Sequence, residues 1–238
     1  MYNILASCYD DFMDNVDYST WIEYVTSFLG NRKLGVDLAC GSGAFTIPLA
    51  KQNYNIFGID ISHQMLNMAI QNAQKQGVNV NFCCQDIINL NLPQKVDFAL
   101  TMCDGINYIK NPQKVFKNVY NYLNDNGVYI FDISSEYKLI NILGNNTFSD
   151  SNDKVTYIWH NYLDKKKKCI DFELTFFKHV IDNFYQKFTE NQTQYIHKTD
   201  SIIKKLYEAG FSTVKVYGNI THSKPKDTDE RIHFIAYK

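Results

Sequence analysis

Between about residue 33 and residue 134, short apolar runs alternate with helix-patterned stretches, and that alternation admits few folds. KLGVDLAC is the first run. After two glycines comes AFTIPLAKQ, where Pro48 fits a helix's first turn because its missing N–H would have no partner there. NIFGID reads as a second buried strand. Ser62 then caps SHQMLNMAIQNAQKQG, which puts Met65, Leu66, Ala69, Ile70 and Ala73 on one face before Gly77 ends it. VNVNFCCQD alternates with period two from Val78 and VDFALTMCD follows as a fourth strand. Asn111-Pro112 opens a helix carrying Val115, Phe116, Val119 and Leu123. A turn at Asp125-Asn126-Gly127 leads into GVYIFDIS, the fifth strand. Strands joined by helices of this length run parallel, with helices on both faces of the sheet.

From about residue 135 the pattern changes. KVTYIWHNYL, CIDFELTFFKHV and NFYQKFTENQTQYI read as three strands of an antiparallel meander, joined by a DKKKK turn and an Asp182-Asn183 turn. Lys165 to Lys168 are expected to be a solvated turn. Helical periodicity returns in DSIIKKLYEAG, capped by Gly210, and FSTVKVYGN and ERIHFIAYK can pair antiparallel. The 238 residues then form one sheet-bearing unit, 1–134 with 197–238, into which 135–196 is inserted.

Charge and cysteine usage narrow the class. Lys plus Arg total 24 against 25 Asp plus Glu, so no positive field draws in a nucleic acid. No apolar run approaches a membrane span and MYNILASCYDDFM is acidic, so a soluble, cytoplasmic protein is expected. Cys8, Cys40, Cys83, Cys84, Cys103 and Cys169 include no C-x-x-C pair, and four of them fall in or beside apparent buried strands, which reads as reduced structural thiols. His63, His179, His222 and His233 lack ligand spacing, and no metal is expected.

Ligands of open α/β sheets sit beyond the carboxyl ends of the strands, which is where the loop of VDLACGSGAF falls. Gly41-Ser42-Gly43-Ala44-Phe45-Thr46 lacks the third glycine of a dinucleotide fold. Asp37, four residues before Gly41, would oppose a pyrophosphate but suits an ammonium or sulfonium group. Asp37-Leu38-Ala39-Cys40-Gly41-Ser42-Gly43, followed by helix, strand and Asp60, resembles the class I S-adenosylmethionine-dependent methyltransferases. The resemblance implies a doubly wound, mostly parallel seven-stranded sheet with S-adenosyl-L-methionine as cofactor and S-adenosyl-L-homocysteine as product. It also implies roles. Asp37 accommodates the cofactor's positive end, Asp60 accepts the ribose hydroxyls, and Asp86 meets the adenine amino group with Ile87 beside the ring. Ala39, Gly41, Gly43, Ile61, Met65, Gln85 and Cys103 complete the cofactor-binding set together with Tyr18 and Trp21 from the N-terminal segment.

CYDDFMDNVDYSTW and the meander resemble more closely the small-molecule members, such as glycine and amino-sugar N-methyltransferases, whose antiparallel lid follows the fifth strand. Tyr9 then matches the tyrosine that covers the transferred methyl. Cys103, Asp104, Asn107 and Tyr108 fall on the floor beneath it, and the lid aromatics, Phe172, Phe176, Phe177, Phe184, Tyr185, Phe188 and Tyr195, are enough to roof a small pocket. QTQYIHK departs from the family by offering Tyr195 and His197 where an arginine-tyrosine pair is expected. Methyl transfer from a sulfonium is an in-line displacement that mainly needs positioning, and an amine that binds neutral needs no strong base. For a hydroxyl acceptor, His160 and Asp104 are the candidate bases. The expected activity is methylation of a small-molecule amine or hydroxyl by a monomer or homodimer. A noncatalytic cofactor-binding module, an RNA methyltransferase and a nicotinamide-dependent reductase are the alternatives.

Overall fold

The computed structural model describes residues 17–181 and 184–238. The Tyr9 element CYDDFM and the Asp182-Asn183 turn lie outside the described residues. Helix α1 (Tyr18–Thr26) leads into β1 (Leu34–Leu38), α2 (Thr46–Lys51), β2 (Asn55–Asp60), α3 (His63–Lys75) and β3 (Phe82–Cys84). Strand β4 (Val96–Thr101), α4 (Gln113–Tyr122) and β5 (Leu123–Ser134) follow. The chain then forms β6 (Thr147–Ser151), β7 (Val155–Asp164), β8 (Cys169–Ile181) and β9 (Phe184–Tyr195), and closes with α5 (Thr199–Ala209), β10 (Thr213–Gly218) and β11 (Arg231–Tyr237).

The first sheet has seven strands in the order β10-β11-β5-β4-β1-β2-β3. Strands β1 to β5 pair in parallel and β11 is antiparallel to both β5 and β10. Order reverses between β1 and β4, and the crevice at that switch point is where such a sheet holds its ligands. Each face carries its own apolar layer. One packs Val115, Phe116 and Val119 of α4 and Ile202 and Leu206 of α5 against Phe131 and Phe234. The other packs Trp21, Ile22 and Val25 of α1 and Leu49 of α2 against Phe98, Leu100 and Ile130. Full burial of one such side chain contributes about 1.5–3 kcal/mol, so the two layers together hold the crevice rigid.

Sequence expectations and structure differ at several places. Strand β3 keeps only Phe82–Cys84 of the expected VNVNFCCQD run, and as the sheet's edge it leaves Cys83 and Cys84 exposed rather than buried. In α3 the buried face is Met65, Leu66, Ala69 and Ala73, while Ile70 turns out to solvent. The Asp125-Asn126-Gly127 turn bulges out of β5. Val96 pairs with Leu123 and Phe98 with Val128, so the residues between have no partner strand among the described residues, and Asn126 takes φ +63°.

The meander is a four-stranded sheet, β6-β7-β8-β9, because a short strand precedes the three expected ones. Strand β6 is polar and mostly exposed, so no hydrophobic alternation announces it. A π-helical turn at Lys138–Leu143 links the two sheets and buries Leu139 and Leu143 against Ile170 and Phe172. Lys165 to Lys168 form an exposed turn. Among the described residues no helix is long and apolar enough to cross a membrane.

Candidate active site

The crevice opens into a cavity of about 630 Å³ between the carboxyl ends of β1, β2, β3 and β4 and the inner face of β7, β8 and β9. The backbone turns sharply at two adjacent strand ends. Ala39 after β1 has φ +56°, and Cys103 and Asp104 after β4 have φ +56° and +53°. Left-handed non-glycine residues cost energy and gather at functional sites. Here they swing the chain off the sheet to form the cavity floor.

Gly41 also has φ +55°, and a side chain there would point into open space. Gly43 has a different task. At φ +87° a Cβ would stand 2.9 Å from Ile47 Cδ1, so this glycine lets α2 pack on the loop, and it does not line the cavity.

Three strand-end carboxylates ring the cavity. Asp37 is buried and accepts a 2.6 Å hydrogen bond from Thr46 Oγ1; burial pushes its carboxyl up to about 7. Asp60 Oδ2 accepts from the Gly41 N–H at 2.9 Å and Oδ1 from the Ser62 N–H at 2.8 Å, so one carboxylate ties the glycine loop to the start of α3. Burial raises its pKa against those bonds. Asp86 caps the 3₁₀ turn Ile87–Asn89 through the Ile88 N–H at 2.9 Å. Gln85 is tied to the backbone of Asn91.

The far side of the cavity is built around an arginine that the sequence patterns did not single out. Arg231 opens β11, and its Nη1 bonds Asp104 Oδ1 at 2.8 Å and Asp132 Oδ2. Asp104 accepts a second bond, at 2.6 Å, from Gln194 of β9, which joins the four-stranded sheet to the floor. The two carboxylates hold the guanidinium firmly protonated despite its burial, and the ring of Trp21 lies 5.1 Å from it. The one available signal was phase: Arg231 and His233 are polar at alternate positions of an otherwise apolar strand. Burial, aided by the nearby Arg231, lowers the pKa of His233 to about 3, so it stays neutral.

Of the residues singled out from sequence, Tyr18, Trp21, Asp37, Ala39, Gly41, Asp60, Ile61, Met65, Gln85, Asp86, Ile87, Cys103 and Asp104 line this one cavity. His160 does not. Tyr157 and Trp159 face the cavity from β7, and strand alternation turns His160 to the opposite face, where its Nδ1 bonds Thr147 at 2.8 Å. As a candidate base in this arrangement it is corrected by that geometry. Asn107 is likewise no part of the floor: its side chain clamps the Ser134 backbone and the Tyr195 carbonyl. Of the lid aromatics, Phe172 and Phe176 reach the cavity, whereas Phe184 and Tyr185 are exposed. His197, its pKa lowered by burial, bonds the Ile109 carbonyl outside the cavity wall.

Residues 34–208 match the family model of the methyltransferase domain. An S-adenosylmethionine-dependent methyltransferase from Clostridium acetobutylicum ATCC 824 superposes with a TM-score of 0.89 at 32% identity, over 99% of this chain and 98% of that one. The chain belongs to the S-adenosylmethionine-dependent methyltransferases. A Geobacillus sp. (strain WCH70) protein, provisionally named a methyltransferase, is 30% identical over 246 residues, covering 100% of this chain and 99% of its own. The sugar N-methyltransferase KedS8 from Streptoalloteichus sp ATCC 53650 shares the fold, with a TM-score of 0.75 at 15% identity over 97% of this chain and 92% of that one. The methyltransferase is thus an enzyme, and its cofactor is S-adenosylmethionine. The donor set suits that cofactor: the buried Asp37 and Asp60 and the half-buried Asp86 stand at three strand ends, and Gly41, open on its side-chain face, is bonded through its N–H to Asp60.

Proposed function

We propose that this methyltransferase methylates a small molecule, an amine in preference to a hydroxyl, inside the cavity closed by residues 135–196. The observation that carries the reading is that one cavity joins the strand-end carboxylates to the lid residues Trp159, Phe172 and Phe176. Its volume, about 630 Å³, suits a cofactor with a compact acceptor. The cofactor supplies a methyl group already activated on a sulfonium.

The chain's own residues position and exclude. Asp37 and the Gly41 backbone hold the amino acid end of the cofactor, Asp60 its ribose, and Asp86 with Ile87 its base. Phe172, Phe176 and Trp159 keep water from the acceptor, and desolvation strengthens the polar contacts beneath them. Among the described residues no histidine lines the cavity, and both Asp104 oxygens already accept hydrogen bonds. An acceptor that arrives as a free amine fits these walls better than a hydroxyl, which needs a base.

The test incubates the protein and methyl-labelled S-adenosylmethionine with a host-cell metabolite extract and identifies labelled products by mass spectrometry. N-methylated compounds of low mass are expected. Label found only in RNA or protein would overturn the reading.

A further inference from the structure

The acceptor half of the cavity holds both acceptors and donors. Asp104 receives Arg231 and Gln194, while Asp132 receives Arg231 and the Asp104 N–H through Oδ2 and keeps Oδ1 buried without a partner among the described residues. Donor edges are free as well. Arg231 spends only Nη1 on the two carboxylates, and its Nε and Nη2 have no hydrogen-bond partner among the described residues. Lys138 also lines the cavity, with a side chain 24% exposed, and its nearest acid, Glu230, stands at 4.0 Å, beyond hydrogen-bond reach and 55% exposed. Trp159, on the lid side, buries its indole N–H without a partner among the described residues.

Lys138 and the free edge of Arg231 bring the donors of two cations to one space, and a group enclosed against them has to accept their hydrogen bonds. Closing an acceptor molecule into that space strips the remaining water from Lys138, and an exposed glutamate at 4.0 Å does not replace it. We propose that the methyl acceptor carries an anionic oxygen group, a carboxylate or a phosphate, held by Lys138 together with the free edge of Arg231. This rests on the reading above, in which the same cavity holds both cofactor and acceptor. The anion anchors one end of the acceptor at Lys138 and leaves the other end free to face the methyl group. Lys138 also counters the net negative charge of the Asp104, Asp132 and Arg231 group, so its loss would be felt there as well as by the ligand.

The test uses model anions, because it does not need the acceptor's identity. Protein labelled with ¹⁵N and loaded with S-adenosylhomocysteine is titrated with acetate in one arm and inorganic phosphate in the other, following the Trp159 indole resonance assigned with Trp159→Phe. A saturable shift at millimolar anion is expected, weakened about tenfold or more in Lys138→Met and in Lys138→Gln. The arm that saturates at lower concentration tells carboxylate from phosphate. Melting temperature and calorimetric binding of S-adenosylhomocysteine in the same samples show that the variants are folded. A resonance unmoved to about 100 mM of either anion, or an equal shift in wild type and folded variants, overturns the proposal. If S-adenosylhomocysteine binds normally in that case, only the anion site fails; if it does not bind, the reading of the cavity fails with it.

Discussion

Arg231 and Asp104 are 127 residues apart in the chain, yet Nη1 meets Oδ1 at 2.8 Å and closes the wall between the last strand and the cavity floor. Asp132, buried in β5, takes the same nitrogen. Removing the arginine leaves the buried Asp132 and the half-buried Asp104 without the cation that pairs them. Arg231→Met should therefore destabilise the protein by about 3–5 kcal/mol, read from urea or thermal unfolding. Asp132→Leu added to Arg231→Met should recover part of the loss, since replacing both partners is less costly than orphaning one. A single variant as stable as wild type would show that water screens the group.

Asp60 tests the cofactor end of the cavity. Its oxygens already accept the Gly41 and Ser62 N–H groups, so Asp60→Asn keeps one carbonyl oxygen for the loop and loses the charge. Charge-assisted hydrogen bonds contribute about 1.5–3 kcal/mol, so binding of S-adenosylhomocysteine should weaken ~10-fold or more. Calorimetry reads it directly. An unaltered affinity in a folded variant would remove Asp60 from the site.

Asp37 makes a pH prediction. Its carboxyl titrates near 7 in the folded protein against 3.8 when unperturbed, chiefly through burial. Between about pH 4 and 7 the native state holds a proton that the unfolded chain has released. This group's contribution to stability therefore declines as pH rises through that window and levels off above it. A bound cation needs the ionised form, so affinity for S-adenosylhomocysteine should rise from pH 6 to pH 8, with proton release on binding at the lower end. Asp37→Asn should abolish both the slope and the release. Binding that is equally tight at pH 6 and pH 8 in wild type would place the ligand's positive end elsewhere.

Gly43 carries a packing prediction that leaves the cavity wall alone. In Gly43→Ala the new methyl meets Ile47 Cδ1 at 2.9 Å in a left-handed backbone, so either the side chain or α2 must shift. A loss of about 1–3 kcal/mol is expected, with cofactor affinity falling less than in Asp60→Asn. Melting and calorimetry together separate the two effects.

How much of this was legible follows from which contacts are local. The strand-helix alternation is set by residues three to ten positions apart, so the five parallel strands and the acids at their ends could be read directly, while the seven-stranded whole was what the family resemblance implied. The Ser62 cap and the Gly210 stop were readable for the same reason. Arg231 was not, because its partners lie on β5 and on the loop after β4, and nothing near it in the chain marks them. Strand β6 is held by pairing with β7 rather than by its own apolar residues, so it has no pattern to find. In Tyr157-Ile158-Trp159-His160 the alternation was visible, but either phase could have faced the cavity. Only the position of the second sheet over the first decides that Tyr157 and Trp159 do.

That phase gives the last prediction. His160 stands on the outer face of β7, half-buried, with its imidazole bonded to Thr147 of the neighbouring edge strand, and it does not line the cavity. His160→Ala removes one hydrogen bond between β6 and β7, a loss of about 0.5–1.5 kcal/mol, and it leaves Trp159 and Phe172 packed edge to face at 5.3 Å. Once an acceptor is in hand, kcat should stay within about twofold of wild type and the pH profile between 5 and 8 should keep its shape, because Asp37, which lines the cavity, titrates near neutrality and His160 does not line it. If kcat instead falls more than about tenfold and the acidic limb of the profile disappears, the imidazole reaches the acceptor by a rearrangement of the lid, and the alternation seen along β7 does not persist through turnover.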